Sequence, residues 1–240
     1  MMEREHGGMG ILYGIGVGPG DPELMTLKAV RLIRSCDLIA APGPDGRNST
    51  AYRIALGAVP EIGEKPCVGM EIPMVHDRAR LKAAYDQAAD QIAAWLKQGK
   101  RVAFLNLGDV TLYATYLHIH RRIRERGYQA ELINGVPSFC AAAAAFQTGL
   151  AEGHEQLHIL SRPDQVEAGL SLPGTKVIMK SGSRMEETGR LLRGCGQQVL
   201  LAENCGMADQ RLGWGPEAVT GKEGYYTLIL VKEDQPSRPG

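Results

Sequence analysis

The stretch GIGVGPGDPELMTLKAV, residues 14–30, joins an apolar run to a helical pattern through a glycine-rich turn. Two other stretches have the same form: LNLGDVTLYATY at residues 105–116 and NGVPSFCAAAA at residues 134–144. Turns of this kind lead from a strand into a helix. Three of them predict loops gathered at the carboxyl edge of a parallel sheet, where open α/β proteins bind their ligands.

The first turn does not have the spacing of a dinucleotide-binding loop, which requires Gly-x-Gly-x-x-Gly. Counted from Gly14, the third glycine position holds Pro19, and counted from Gly16 it holds Asp21. The second predicted strand ends at Pro42 without an acid for a ribose hydroxyl. Either the glycines only permit a tight turn, or they line a ligand. Their density favours the ligand.

The second turn places the carboxylate of Asp109 between a strand and a predicted helix that begins at Thr111 or Leu112. One interpretation is a helix cap, and the other adds a ligand contact or a proton acceptor. Tyr113 and Tyr116 follow at helical spacing. We expect Tyr116 to pack in the core and Tyr113 to lie nearer the site.

The third turn enters an alanine-rich helix, which fits either tight packing against a sheet or close approach of a ligand. The cations Arg47 and Lys180 lie at predicted loop or strand ends. At such positions, they are candidates to bind carboxylates.

Charge and composition exclude several classes of function. Lys plus Arg and Asp plus Glu both number 27, so no overall field attracts nucleic acid or an anionic membrane. The longest apolar stretch, residues 141–146, is far shorter than a membrane span of about 20 residues. The first ten residues lack the apolar core of a signal peptide.

The cysteines indicate a reduced, cytoplasmic protein. There are 5 of them, widely spaced and never in a Cys-x-x-Cys pair. This pattern fits neither a disulfide framework nor a zinc site. We therefore expect no protein-bound metal.

The order of predicted elements gives an α/β fold with two domains. Residues 1–134 alternate strands and helices, as in a mostly parallel sheet, and residues 135–232 have the texture of a mixed sheet. Asp21 is predicted to cap the first helix, and residues 210–231 to form an antiparallel hairpin. Residues 233–240 are polar and proline-bearing, which predicts a disordered tail.

Five motifs, in order, resemble the tetrapyrrole methylase family of class III S-adenosylmethionine (SAM) methyltransferases. They are residues 16–26, Leu107-Gly108-Asp109 with Tyr113, residues 135–138, residues 177–180 and residues 225–228. Within the family, the chain is similar to the branch that methylates C20 of precorrin-2 or cobalt-factor II in cobalamin biosynthesis. Two departures are Val110, where the family usually has proline, and Ala114, where this branch often has serine.

The resemblance implies SAM as co-substrate, bound in a cleft between two α/β domains, a tetrapyrrole substrate, and a homodimer. By this analogy the SAM contacts are Leu107, Gly108, Asp109, Val110, Ser138, Phe139, Met179, Ala202 and Thr227. The substrate contacts are Gly18, Pro19, Gly20, Asp21, Arg47 and Lys180. Asp109 and Tyr113 are the candidates for the base that removes a proton.

Other functions stay open on the sequence alone. The nearest is a sister methylase that acts at another tetrapyrrole position. More distant are the diphthine synthase and ribosomal RNA methylase branches. A different class is a non-catalytic nucleotide-binding α/β module.

Overall fold

The computed structural model describes residues 10–73, 75, 77–180 and 182–233. The chain divides into two compact units, Met1–Pro137 and Ser138–Gly240. The boundary predicted from the sequence, after residue 134, lies slightly earlier. Of the tail predicted to be disordered, only Glu233 lies within the described residues.

The first unit is built on a parallel sheet in the order β3-β2-β4-β1-β5. Its strands are β1 (Ile11–Gly16), β2 (Leu38–Pro42), β3 (Cys67–Met70), β4 (Arg101–Asn106) and β5 (Gln129–Ile133). Its helices are α1 (Leu27–Ser35), α2 (Thr50–Ala58), α3 (Arg78–Lys97) and α4 (Tyr116–Glu125). The central strands are buried on both faces, because helices cover both. Along β1, Ile15 packs in the cluster that contains α1 and α2, and Leu12 packs in the cluster of α3 and α4.

Strand register brings the three predicted turns to one edge of this sheet. Gly16, the last residue of β1, pairs with Asn106, the last of β4, and Ile15 pairs with Ile133, the last of β5. Adjacent strands lie about 4.8 Å apart, so the loops that follow them are neighbours. The parallel sheet expected from the sequence is confirmed.

The second unit is built on a mixed sheet in the order β6-β7-β10-β8-β9, which confirms the second half of the fold prediction. Its strands are β6 (Leu157–Leu160), β7 (Thr175–Met179), β8 (Gln198–Glu203), β9 (Arg211–Trp214) and β10 (Thr227–Lys232). Its helices are α5 (Ser138–Ala145), α6 (Val166–Leu170) and α7 (Met185–Arg193). In the described part of this sheet, β6 and β7 pair in parallel and the other neighbouring strands pair antiparallel.

The hairpin predicted for residues 210–231 is wrong. β9 pairs with β8, and β10 lies between β7 and β8 instead of beside β9. Every residue of β10 is buried, as suits a central strand, whereas Arg211 and Trp214 of β9 are exposed, as suits an edge. The short helix α6 was not predicted, because its five residues show no helical period.

Two helix starts also differ from the prediction. α4 begins at Tyr116, not at Thr111 or Leu112, because Tyr113 has a φ of +52°, a left-handed conformation that a right-handed helix excludes. Asp21 caps a short 3₁₀ turn, Pro22–Leu24, by accepting from the Glu23 N–H at 2.9 Å. Thr26 caps α1 instead, accepting from the Ala29 N–H at 3.2 Å.

Within the described residues, no helix combines the length and apolar character needed to cross a membrane.

Gly14, in the middle of β1, has no room for a side chain. A Cβ atom there would lie 1.9 Å from the ring of Tyr116, which is fully buried under the sheet. We expect Gly14→Ala to lower the free energy of unfolding by about 3 kcal/mol, because neither the central strand nor the ring can move away. Denaturant unfolding measures this.

Gly63→Ala is the matched control, since a Cβ at Gly63 meets only Leu56 Cδ1 at 3.7 Å. Equal stabilities for the Gly14 and Gly63 variants would contradict the packing described for β1.

Candidate active site

The turns after β1 and β4 are joined to each other through their backbones. The Gly108 N–H donates to Gly18 O at 2.8 Å, and the Gly18 N–H donates to Gly108 O at 3.3 Å. Both glycines have a positive φ, +79° at Gly18 and +71° at Gly108. Residues with a Cβ rarely adopt a positive φ, which explains why glycine stands at both positions where the two turns exchange hydrogen bonds.

The third turn approaches the same point. A Cβ at Gly135 would lie 2.3 Å from Gly108 O, and a Cβ at Gly16 would lie 2.6 Å from Gly108 O and from Gly135 N. No side chain fits between these backbones. We call Gly16, Gly18, Gly108 and Gly135 the glycine hub.

Asp109 binds the second turn to the third. One carboxylate oxygen, Oδ1, accepts from the Thr111 N–H at 2.7 Å and from the Thr111 hydroxyl. The other, Oδ2, accepts from the Gly135 N–H at 2.9 Å and from the Asn134 side chain at 3.1 Å. The residue is 6% exposed. Both oxygens therefore have protein partners, and Asp109 does not cap α4.

These contacts set the charge state of Asp109. Burial by itself would raise the pKa of the carboxyl group, but the hydrogen bonds from Thr111, Gly135 and Asn134 outweigh it and lower the pKa. A carboxylate with a lowered pKa and occupied oxygens is a weak proton acceptor. The geometry supports a positioning role for Asp109 more than the predicted role as base.

Two residues of this region were not singled out from the sequence. The Thr26 hydroxyl donates to Asn134 O at 3.3 Å, and the Asn134 side chain donates to Asp109. They connect the first turn to the third and the third to the second. The available signal was position: Asn134 is a small polar residue directly after the buried end of β5.

The two tyrosines after Asp109 have different surroundings. Tyr116 is fully buried, and its hydroxyl donates to Glu131 O at 3.2 Å, which agrees with the expected core role. Burial raises its pKa. Tyr113 is 49% exposed and has a φ of +52°. Unusual backbone conformations of this kind concentrate at functional sites, so of the two tyrosines Tyr113 stays the better candidate for a role in the active site.

The remaining predicted residues of the second turn face the interior. Val110 is fully buried in the core cluster of α3 and α4, and Leu107 packs at the edge of the cluster of α1 and α2. In the first turn, Gly18, Pro19 and Gly20 are buried and Asp21 is half-buried.

Arg47, a predicted substrate contact, donates to protein acceptors. Its Nη1 donates to the Tyr52 hydroxyl at 2.8 Å and to Gly63 O at 3.0 Å, and its Nη2 donates to Lys65 O at 3.0 Å. The guanidinium thus connects the start of α2 to residues 63–65. This geometry supports a structural role, and the substrate role stays a prediction.

In the second unit, strand register brings three predicted cofactor residues together. Leu228 of β10 pairs with Met179 of β7 and with Ala202 of β8. Thr227 precedes Leu228, and its hydroxyl donates to Gly224 O at 2.7 Å. Because β10 is antiparallel to β7 and β8, its first residues lie at the edge where those strands end.

The other predicted residues of this unit lie on α5 and after β7. Ser138 and Phe139 open α5, which packs on β10, and Phe139 is buried. Lys180 follows β7 with a φ of +58°. The residue is exposed, but the loss of part of the water around its ammonium group lowers its pKa.

No metal ligand set was found in the described part of the chain, where no three His, Cys, Asp or Glu side chains are grouped as a metal ion requires.

Residues 11–218 match the family model Tetrapyrrole (Corrin/Porphyrin) Methylases, and the chain belongs to this family. It is 36% identical over 177 residues to a probable cobalt-precorrin-2 C(20)-methyltransferase of Methanocaldococcus jannaschii, covering 73% of this chain and 74% of that protein. It is 32% identical to a cobalt-precorrin-2 C(20)-methyltransferase of Salmonella typhimurium, covering 95% of this chain and 92% of that protein. A precorrin-2 C(20)-methyltransferase of Sinorhizobium is 30% identical, covering 93% and 96%.

Solved structures share the fold at lower identity. A putative cobalamin synthesis related protein of Corynebacterium diphtheriae superposes with a TM-score of 0.76 at 18% identity, covering 95% of this chain and all of that one. Uroporphyrin-III C-methyltransferase of Thermus thermophilus, solved with S-adenosylhomocysteine, gives 0.67 at 21% identity, covering 93% and 98%.

The Asp109 contacts predict a pH-dependent loss of stability in Asp109→Asn. The substitution replaces one acceptor oxygen with an NH₂ group, which would face the N–H and O–H donors that now bind the carboxylate. At pH 7 we therefore expect a loss of about 1–3 kcal/mol in the free energy of unfolding. The folded pKa lies below the unfolded value of about 3.9, so the carboxylate stabilises the fold above that pH. Its contribution disappears as pH falls through the folded pKa.

The difference in the free energy of unfolding between wild type and Asp109→Asn should therefore be constant at neutral pH and become smaller below roughly pH 4. Urea unfolding across this range measures it. Asp90→Asn, which removes an exposed ion pair with Arg126, is the control and should cost little at any pH. A gap for Asp109→Asn that does not change with pH would contradict the assigned charge state.

Proposed function

We propose that this chain transfers a methyl group from SAM to C20, the meso carbon, of precorrin-2 or its cobalt-containing form in cobalamin biosynthesis. The observation that carries the proposal is the match to relatives named for C20 methylation over 93% and 95% of the chain. Relatives named precorrin-4 or cobalt-precorrin-4 C(11)-methyltransferases match only 55% and 58% of it. This difference favours C20 over a sister position.

SAM is proposed to bind at the glycine-hub edge of the first sheet and at the edge formed by Met179, Ala202 and Thr227 in the second. Support for SAM as the ligand comes from the Thermus uroporphyrin-III C-methyltransferase, which shares the fold and was solved with S-adenosylhomocysteine. The contact residues rest on the family resemblance. Binding in a cleft between the two domains stays a prediction of the resemblance.

The proposed reaction is a displacement at the SAM methyl group. A C–C bond forms at C20 while the methyl–sulfur bond breaks, and C20 then loses a proton. The protein has to align carbon, methyl and sulfur, and such positioning can supply roughly 7–11 kcal/mol. The glycine hub supports this role, because backbones bound to one another hold a loop more rigidly than flexible side chains do.

The proton acceptor is proposed to be Tyr113, directly or through a water molecule. Asp109 was the other candidate, but its oxygens accept four hydrogen bonds from the protein. We assign Asp109 the task of holding the second and third turns together.

The homodimer implied by the resemblance and the cytoplasmic location indicated by the cysteine pattern are also proposals. Light scattering tests the first against the monomer mass of 26.0 kDa, and cell fractionation tests the second. Whether cobalt is already in the natural substrate is decided by assaying both forms.

Ligand binding separates a methyltransferase from a dinucleotide-binding module. We expect SAM and S-adenosylhomocysteine to bind at about one per chain and NAD not to bind, because the first glycine turn has Pro19 and Asp21 where the dinucleotide motif needs glycine. Isothermal calorimetry measures all three. NAD binding without a SAM signal would overturn the proposal.

The role of Tyr113 is tested by removing its hydroxyl. We expect Tyr113→Phe to lower kcat by about 10²-fold or more, the range for a lost proton-transfer group, with the affinity for S-adenosylhomocysteine unchanged. Tyr128→Phe, on the half-buried tyrosine before β5, is the control. Full turnover in Tyr113→Phe would exclude this assignment.

A further inference from the structure

A cavity of about 500 Å³ lies at the carboxyl ends of β2 and β3. Its floor is Gly69 and Met70, Pro44 closes one side, and α3 forms the opposite wall with Arg80, Gln87 and Gln91. It opens on the same edge of the sheet as the glycine hub, since all five strands run parallel. The β3 end is two strand spacings, roughly 10 Å, from the end of β4.

The walls of this cavity are held apart by the fold. The loop after β2 packs directly against the backbone of Gly69, where a Cβ would lie 2.3 Å from Pro44 O and 2.4 Å from Gly43 O. The buried residues of α3 begin at Ala88, and before them Tyr85 is only partly buried against the core cluster of α3 and α4, which leaves the cavity between the first turns of the helix and the ends of β2 and β3. On the side of α4, the first half of α3 is fixed by the ion pair of Asp86 with Arg122 at 2.6 Å.

The α3 wall presents polar side chains that have no protein partner among the described residues. The side chains of Arg80, Gln87 and Gln91 are exposed and make no hydrogen bond or ion pair there, although the Arg80 backbone N–H donates to Asp77 Oδ1 at 3.1 Å. The Arg47 guanidinium, by contrast, donates to three acceptors. Spacings of seven and eleven residues place the three on one stripe of the helix, about 16 Å long. One acid, Glu71, also lines the cavity and, like Arg80, is exposed to solvent, which screens the charge of each.

We infer that this cavity is a carboxylate subsite, in which Arg80 binds an acid arm of the tetrapyrrole and Gln87 and Gln91 hydrogen-bond to the same or a neighbouring arm. The inference rests on the proposed function, whose substrate class carries several carboxylates. The chain has no net charge, so binding of such a substrate requires individual Lys or Arg side chains positioned beside its carboxylates. An arginine without a protein partner offers a planar fork of donors that matches a carboxylate.

The test compares three variants on the purified full chain, with the tetrapyrrole and S-adenosylhomocysteine as separate ligands. We expect Arg80→Gln to raise the KM for the tetrapyrrole tenfold or more, the size of one lost charged hydrogen bond, without changing S-adenosylhomocysteine affinity. Arg80→Lys should recover part of the loss. Arg78→Gln, on an exposed arginine of the same helical turn that does not line the cavity, should stay within twofold of wild type.

Ala84→Phe gives a second readout, because it fills the cavity without changing charge. It should also raise the tetrapyrrole KM and leave S-adenosylhomocysteine affinity unchanged. A wild-type KM in both Arg80→Gln and Ala84→Phe, or an equal effect of Arg78→Gln, would overturn the subsite. If wild type itself methylates no tetrapyrrole, the proposed function fails instead.

Discussion

The carboxylate of Asp109 connects loops that follow two different strands, and the shape of the candidate site depends on this contact. Its oxygens accept from Thr111 on the loop after β4, and from Asn134 and Gly135 after β5. A buried charge is expensive unless it is fully hydrogen-bonded, and here every oxygen has two donors. Removing the carboxylate would therefore leave several donors unsatisfied at once and free both loops.

Backbone contact among glycines makes this arrangement possible. Gly108 exchanges hydrogen bonds with Gly18, and its carbonyl lies where any side chain at Gly16 or Gly135 would have to go. The loops are therefore held by main-chain atoms and one carboxylate. A frame of this kind suits methyl transfer from a sulfonium, since the reaction needs alignment more than covalent help.

Strands β1, β2 and β4 could be predicted from the sequence because their apolar runs end in glycine, proline and asparagine respectively. The helix starts were harder to predict. Tyr113 has a left-handed backbone conformation, which local residue spacing does not reveal and which delays the start of α4 to Tyr116. Likewise, the central place of β10 comes from pairing with β7 and β8, strands distant in sequence.

Candidate site residues divide in the same way. Gly18, Gly108 and Asp109 stand out because they lie in glycine-bearing turns that directly follow predicted strands, at the sheet edge where α/β proteins bind ligands. Arg47 appeared to be a ligand contact at a loop end, but its partners at residues 63–65 arrive through the fold. Arg80 did not stand out at all, because an exposed arginine on a helix is common, and its place beside the ends of β2 and β3 is set by the packing of α3.

The most direct measurement of the central claim, that this frame directs a methyl group to one meso carbon, is an NMR spectrum of the product formed with ¹³C-methyl SAM. Precorrin-2 and its cobalt-containing form are incubated separately with the enzyme. The account predicts a single new labelled methyl group on C20 in at least one of them. A labelled methyl group at any other position, or a mixture of positions, would contradict it.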